Sequence, residues 1–136
     1  MLTDDNKALV QRFYEEVINQ KNLAALDQFV DPNAVNHTVP SGLPQGPNQF
    51  LSMHFNAFPD VKVTVEDLLA DGDKVVALVS IRGTQQGAFR AVSPTGKPIE
   101  VMGINIFRIE NGKMVEHWGL ADRLSALRQL GVVTTP

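Results

Sequence analysis

His117 is the side chain best placed to do chemistry, because it lies in Lys113-Met114-Val115-Glu116-His117-Trp118-Gly119-Leu120-Ala121-Asp122, directly after an Asn111-Gly112 turn signal. Unperturbed imidazole titrates near ~6.5, so His117 can take or give a proton at neutral pH. Asp122 is the nearest acid after it, where a strand should give way to a closing helix. A carboxylate there either caps the helix by accepting backbone N–H bonds or orients the imidazole as a catalytic partner. The neighbours of His117 depend on the turn. A two-residue loop at Asn111-Gly112 sets His117 opposite Ile106, and a three-residue loop Glu110-Asn111-Gly112 sets it opposite Asn105. The second is the expectation. It puts Gly103, Asn105, Phe107, Val115, His117 and Gly119 on one mixed face, suited to a cavity, and Met102, Ile104, Ile106, Met114 and Trp118 on the other.

Two further histidines have weaker contexts. His37 follows Asn36 in a loop, where polar residues beside a pocket often bind ligand. His54 lies on a stripe with Phe50, Phe55 and Phe58, so it reads as a core or pocket-wall residue. Tyr14, Phe13, Phe55, Phe58 and Phe89 are core in a solid domain and lining in a hollow one. No pair of histidines has a local ligand spacing, which argues against a metal site. Nor is there a Gly-x-Ser-x-Gly elbow, a phosphate loop or a dinucleotide fingerprint.

The elements that must position these groups follow from periodicity. Leu9, Val10, Phe13, Tyr14, Val17 and Ile18 recur at helical spacing after Thr3-Asp4, predicting a helix to about residue 20. Asn22 should cap a short helix with Leu23, Leu26, Phe29 and Val30 inward, ended by Asp31-Pro32. A loop over 36–44 precedes a helix opened by Gly46-Pro47 and closed by Pro59. The period then switches to two: Val61, Val63 and Val65 begin a strand, Asp71-Gly72-Asp73 turns it, and 74–82 is apolar enough to be covered on both faces. Strands over 99–109 and 114–120 follow, and then a last helix with Leu124, Leu127 and Leu130 inward and Gly131 after its end. Helices first and a strand meander after them predict an α+β fold, one domain over 1–136.

The 136 residues suffice for a core without disulfides, and there are no cysteines. A net charge of -3 without any Lys/Arg run speaks against nucleic-acid binding. No apolar run approaches the ~20 residues of a spanning helix, and the acidic start Met1-Leu2-Thr3-Asp4-Asp5 is unlike a signal peptide. The expectation is a cytoplasmic protein with no membrane association.

Taken in order, Phe58-Pro59-Asp60-Val61, Asp71-Gly72-Asp73-Lys74-Val75-Val76, Gly83-Thr84-Gln85-Gln86-Gly87, Pro94-Thr95-Gly96-Lys97-Pro98, Ile106-Phe107-Arg108-Ile109-Glu110-Asn111-Gly112-Lys113, Glu116-His117-Trp118 and Leu127-Arg128-Gln129-Leu130-Gly131 resemble the SnoaL-like polyketide cyclase or ester cyclase family. The resemblance implies a nuclear transport factor 2-like cone, a bent antiparallel sheet closed by helices around a deep pocket. It also implies a homodimer and no metal, nucleotide or organic cofactor. Family cyclases carry an aspartate two residues after the strand histidine as general acid/base, a position held here by Gly119, which should enlarge the cavity. His117, Asn36 and Asn105 carry over by position.

The expected function is therefore cofactor-independent proton transfer on an apolar carbonyl compound such as a cyclic ketone, ester or polyketide fragment. His117 and Asp122 are its catalytic candidates; Asn36, His37, Asn105, Tyr14, His54, Phe55, Phe58, Phe107 and Gly119 are its substrate-binding candidates. The alternative is a non-catalytic binder of the same fold, which Gly119 favours. Dimerisation is expected through the sheet face bearing Met102, Ile104, Ile106 and Trp118.

Overall fold

The computed structural model describes residues 2–39, 43 and 46–133. Of the loop expected over 36–44, Pro40, Ser41, Gly42 and Pro44 lie outside the described residues. The first helix, α1 (Leu2–Arg12), continues into a π-helical stretch, Phe13–Asn19. Its wider turn brings Phe13, Tyr14, Val17 and Ile18 together onto the buried side. The Asn19 side chain ends the stretch by imitating a strand, accepting from the Val63 amide at 2.7 Å and donating to the Val63 carbonyl at 2.9 Å. A 3-10 turn follows over Leu23–Gln28, with Asn22 before it making no side-chain cap, contrary to expectation.

The sequence predicts a helix end and a loop over residues 30–36, but they form strand β1 (Val30–Asn36). The strand tolerates Pro32 because it is an edge, paired on one side only, and its ladder is interrupted between Val30 and Val35. Helix α2 (Pro47–Ala57) starts with proline in its first turn, as the sequence predicts. Strands β2 (Lys62–Asp71), β3 (Lys74–Thr84), β4 (Pro98–Glu110) and β5 (Lys113–Ala121) form the meander, and α3 (Arg123–Gln129) closes the chain. The five-stranded sheet has the order β1-β5-β4-β3-β2, antiparallel except for β1 on β5. The fold is α+β, with helices against a bent, unclosed sheet.

The expected three-residue hairpin loop is not found, and the two-residue register holds only next to the turn. The β4–β5 turn has two residues, Asn111 and Gly112, both at positive φ (52° and 74°), as a type I′ turn requires. Glu110 then pairs with Lys113 and Ile109 with Met114, and the register slips at Val115, so that Arg108 faces Glu116, Phe107 faces His117 and Asn105 faces Gly119. The extra residue restores the parity of the three-residue loop. His117 therefore shares a face with Asn105, Phe107 and Gly119 through a bulge and not through a longer turn. Met114, before the bulge, turns inward and is buried, not outward as predicted. A second bulge in β2, between Val65 and Asp67, adds to the bend.

The main core joins Val10, Phe13, Tyr14, Val17 and Phe29 to Val75, Ala77, Val79, Phe107, Ile109 and Met114. A smaller cluster, Ala57, Phe58, Val61, Ile99 and Leu130, ties α2 and α3 to the sheet end. Gln129 fixes α3 by accepting from the Glu100 amide (2.7 Å) and donating to its carbonyl (2.9 Å). Leu130 is buried as expected, but Leu124 is 49% exposed.

The loop after β3 holds α2 in place. Amides of Gln86 and Gly87 both donate to the Ala57 carbonyl, and the fully buried Gln85 side chain bonds the Val92 carbonyl and Thr95. Gly87 passes so close that an added Cβ would sit 2.3 Å from the Asn56 carbonyl oxygen. Gly87→Ala is expected to cost about 1–3 kcal/mol in urea unfolding, as overpacking against backbone does.

Candidate functional site

The inner face of the sheet, the π-helical stretch and α2 enclose an open-ended cavity of about 230 Å³. Most of its wall is apolar: Phe13, Ile18, Leu51, Phe55, Val63, Ile81, Phe107 and Met114. Polar atoms come from Tyr14, Asn36, His54, Asn105, Glu116 and His117. Asn36, Asn105 and His117 thus line one cavity, together with the sequence candidates Tyr14, His54, Phe55 and Phe107.

His117 Nε2 lies 2.7 Å from Asn105 Oδ1. The amide oxygen only accepts, so Nε2 carries the proton and Nδ1 keeps the ring's lone pair. Phe107, directly across the ladder, stacks on the imidazole with centroids 4.7 Å apart and planes 9° from parallel. Burial in this apolar setting lowers the His117 pKa to about 4, so the ring is neutral at pH 7. Tyr14, deep beneath, has its pKa raised by burial, opposed by the polar side chain of Asn105. Tyr14, Asn105 and His117 thus form an uncharged polar line in an otherwise greasy wall.

Gly119 makes this arrangement possible, though not by enlarging the cavity as expected. A Cβ on Gly119 would lie 2.4 Å from Asn105 Oδ1 and 2.9 Å from His117 Nε2. The space above the glycine is filled by the Asn105–His117 hydrogen bond. Asn36 sits beside His117 in the β1–β5 pairing, and its Oδ1 is occupied by the amide and hydroxyl of Thr38, while its amide nitrogen has no hydrogen-bond partner among the described residues. The Thr38 hydroxyl in turn accepts from the Gly119 amide at 2.8 Å, which ties the end of β1 to β5.

On the opposite wall, His54 Nδ1 donates to the Phe50 carbonyl at 2.8 Å, one turn back in α2. Burial, with the positive charge of Arg90 adding to it, lowers the His54 pKa against the raising effect of that hydrogen bond. The ring packs against Phe50 and Phe89.

Four sequence candidates stand elsewhere. His37 is on the outer face of the sheet, stacked on Trp118 at 4.7 Å, with Nε2 2.6 Å from Glu116 Oε2. It is turned outward because the residue after Asn36 points to the other side of the strand. Asp122 is exposed and caps α3, its Oδ1 accepting from the Ser125 amide at 3.0 Å, and it does not line the cavity. Phe58 belongs to the smaller core cluster, and Gly119 lies behind the Asn105 amide. Glu116 is the one acid lining the cavity among the described residues, and its carboxylate is engaged by Arg108 and His37, which hold its pKa down. Among the described residues, no three His, Cys, Asp or Glu side chains converge as metal ligands would, and no helix is long and apolar enough to cross a membrane.

The cavity wall also includes Met114 and Ile81, which the sequence reading missed. Met114 needed the bulge at Val115, for which the sequence carries no signal.

With this geometry the similarity to known proteins is specific. The model of the SnoaL-like polyketide cyclase family matches residues 8–130, and the chain belongs to that family. No curated protein matches it. Among solved structures, a candidate polyketide cyclase from Bacillus cereus is 31% identical, with a TM-score of 0.80 over 96% of this chain and 83% of that one. AclR, a candidate hydroxylase from Streptomyces galilaeus, is 26% identical, with a TM-score of 0.83 over 97% of this chain and 99% of that one. TsrD from Streptomyces laurentii is 28% identical, with a TM-score of 0.81 over 93% of this chain and 98% of that one. Cyclase and hydroxylase names on one architecture mean that likeness gives the family and not the reaction.

Proposed function

We propose that the protein binds an apolar carbonyl compound, a cyclic ketone, ester or polyketide fragment, and moves a proton on it by cyclase- or isomerase-type chemistry without a cofactor. The observation that carries this reading is the His117–Asn105 hydrogen bond inside the cavity. It is the pairing of a base with an orienting group that acid–base sites reuse. His117 Nδ1 takes the proton next to the substrate carbonyl, and the Asn36 amide nitrogen donates to the oxygen that becomes an enolate. Asp122 has no part in this reading, because its carboxylate is committed to the helix cap. A base whose pKa is near 4 is weak, so the substrate must have an acidified C–H, as between two carbonyl groups. Exchange of the central C–H of a bicyclic β-keto ester in deuterated buffer, followed by NMR, tests this. His117→Ala should slow protein-dependent exchange by on the order of 10².

A binder without turnover is the second reading, favoured by Gly119, where the resemblance implies an aspartate, and by the low basicity of His117. It predicts saturable binding of the same ester with no exchange above buffer.

The protein's partner in solution is proposed to be a second copy. Met102, Ile104 and Leu120, on the outer face of the sheet, are 44%, 51% and 77% exposed, an apolar patch alongside Trp118. A symmetric dimer there would bury about 800 Å² per chain. Sedimentation should give a dimer at micromolar concentration and a monomer for Ile104→Lys.

A further inference from the structure

Residues 36–38 are stitched to β5 at the site. Asn36 pairs with His117, the His37 amide donates to the His117 carbonyl at 2.8 Å, and the Gly119 amide donates to the Thr38 hydroxyl at 2.8 Å. In a parallel ladder that ran on, the Gly119 amide would meet a backbone carbonyl of the neighbouring strand. Strand β1 ends at Asn36, and a side-chain oxygen takes that place. The same hydroxyl lies 3.0 Å from Asn36 Oδ1, so the end of the strand and the cavity wall share one group.

Every hydrogen bond in this chain has a fixed direction. A backbone amide only donates, so the Thr38 oxygen accepts from Gly119 and keeps its own proton to give to Asn36. The Thr38 amide, a second fixed donor, points at the same Asn36 atom from 3.0 Å. Two donors thus converge on one atom of the Asn36 side chain, and only its oxygen can accept them. Turned over, the side chain would set its NH2 group against both donors. Asn36 therefore presents its nitrogen at the other position, on a residue that lines the cavity, while Thr38 itself does not line it.

We propose that Thr38 is a positioning residue, whose hydroxyl and amide hold the Asn36 side chain so that Nδ2, and not Oδ1, is the atom offered to a ligand oxygen. This rests on the reading of Asn36 as donor to the enolate oxygen and adds what aims it. A donor fixed beforehand stabilises developing charge without reorganising, whereas a loose one must be ordered during the reaction.

Deuterium exchange of the β-keto ester, read as kcat and KM, tests this in Thr38→Val and Thr38→Ser. Thr38→Val replaces the hydroxyl with a methyl group and should lower kcat about tenfold with KM little changed, because the donor matters most as charge develops. Loss of the donor itself in Asn36→Ala should cost on the order of 10². Thr38→Ser should restore the rate. On an Asn36→Ala background, Thr38→Val should cost nothing further, the mark of a residue that acts through Asn36 and not through general support of the strand end. Amide NMR of the intact protein reads the same point without turnover. Thr38→Val should shift the Asn36 Nδ2 proton signals and the Gly119 amide signal, and Thr38→Ser should leave both near their wild-type positions. Wild-type rates and unchanged Asn36 signals in Thr38→Val would overturn the proposal while leaving the reaction reading in place. A loss of rate that Thr38→Ser failed to restore would overturn it too. A wild type without exchange above buffer would sink the reaction reading instead, and the Asn36 signals would then decide by themselves whether Thr38 holds the amide.

Discussion

Gly119→Ala should destabilise the protein by about 1–3 kcal/mol, the range for forcing an atom into filled space and breaking a buried hydrogen bond. A glycine in a strand is ordinarily improved by alanine, so the sign alone is informative. The cause is local: the new Cβ would sit 2.4 Å from Asn105 Oδ1, well inside contact distance, and the amide could move away only by releasing His117 Nε2. Gly119→Asp should be worse, since it adds a carboxylate with no partner in a low-dielectric wall. Asn105→Ala empties the contested space and frees the His117 N–H to donate to the new carboxylate. The double variant Asn105→Ala/Gly119→Asp should therefore be more stable than the sum of its parts, with a coupling of about 1–3 kcal/mol in a urea-denaturation cycle. The imidazole beside that carboxylate should titrate higher than in the wild type, which a histidine NMR titration reads directly. A neutral Gly119→Ala with unchanged His117 ring signals would show that the Asn105–His117 hydrogen bond does not fill the space beside Gly119.

The sequence carried the helices and the meander well because they are written in periodicity and turn chemistry. Gly46-Pro47 and the alternating valines of β2 each state a local rule, and each element stands where that rule puts it, whereas Asn111-Gly112 marks the turn but forms the two-residue loop in place of the expected three-residue one. Strand β1 was invisible for the opposite reason. Val30-Asp31-Pro32-Asn33-Ala34-Val35-Asn36 has no period of two, contains proline, and exists as a strand only because β5 offers an edge for parallel pairing. The bulge at Val115 is likewise a tertiary choice. It rescued the predicted face of His117 and misassigned Met114. The candidate site was legible where a residue type implied a role, as at His117 and Asn105. It was illegible where the role depended on which nitrogen was already engaged, as at His54, or on which way a loop residue turned, as at His37. The meaning of Gly119 could not be read from its type at all. Only its distance to the Asn105 amide shows that the space beside it is taken by a hydrogen-bonded contact.

Acidification should unfold this protein through its histidines before its carboxylates contribute. His117 titrates at about 4 in the folded chain against ~6.5 when unfolded, so between those values the unfolded state binds more protons. The stability this gives is complete above ~6.5 and is lost as pH falls through the window toward 4. A difference of about 2.5 in pKa corresponds to roughly 3 kcal/mol at full loss, a large share of the stability of an ordinary domain. His54, lowered by burial, adds to the same slope in the same direction. His117→Gln removes the titration yet keeps an amide that can donate to Asn105 Oδ1. Its unfolding free energy should therefore change less between pH 6.5 and 4 than that of the wild type, by an amount urea denaturation at stepped pH resolves. An identical slope in both proteins would mean that His117 is not buried as a neutral ring. The same titration governs the proposed chemistry: a proton acceptor with a pKa near 4 is already in its basic form at neutrality, so exchange should be flat above neutral pH and fall only on approach to 4. A bell-shaped profile centred near neutrality would point instead to a base with an ordinary histidine pKa and would move the catalytic role away from His117.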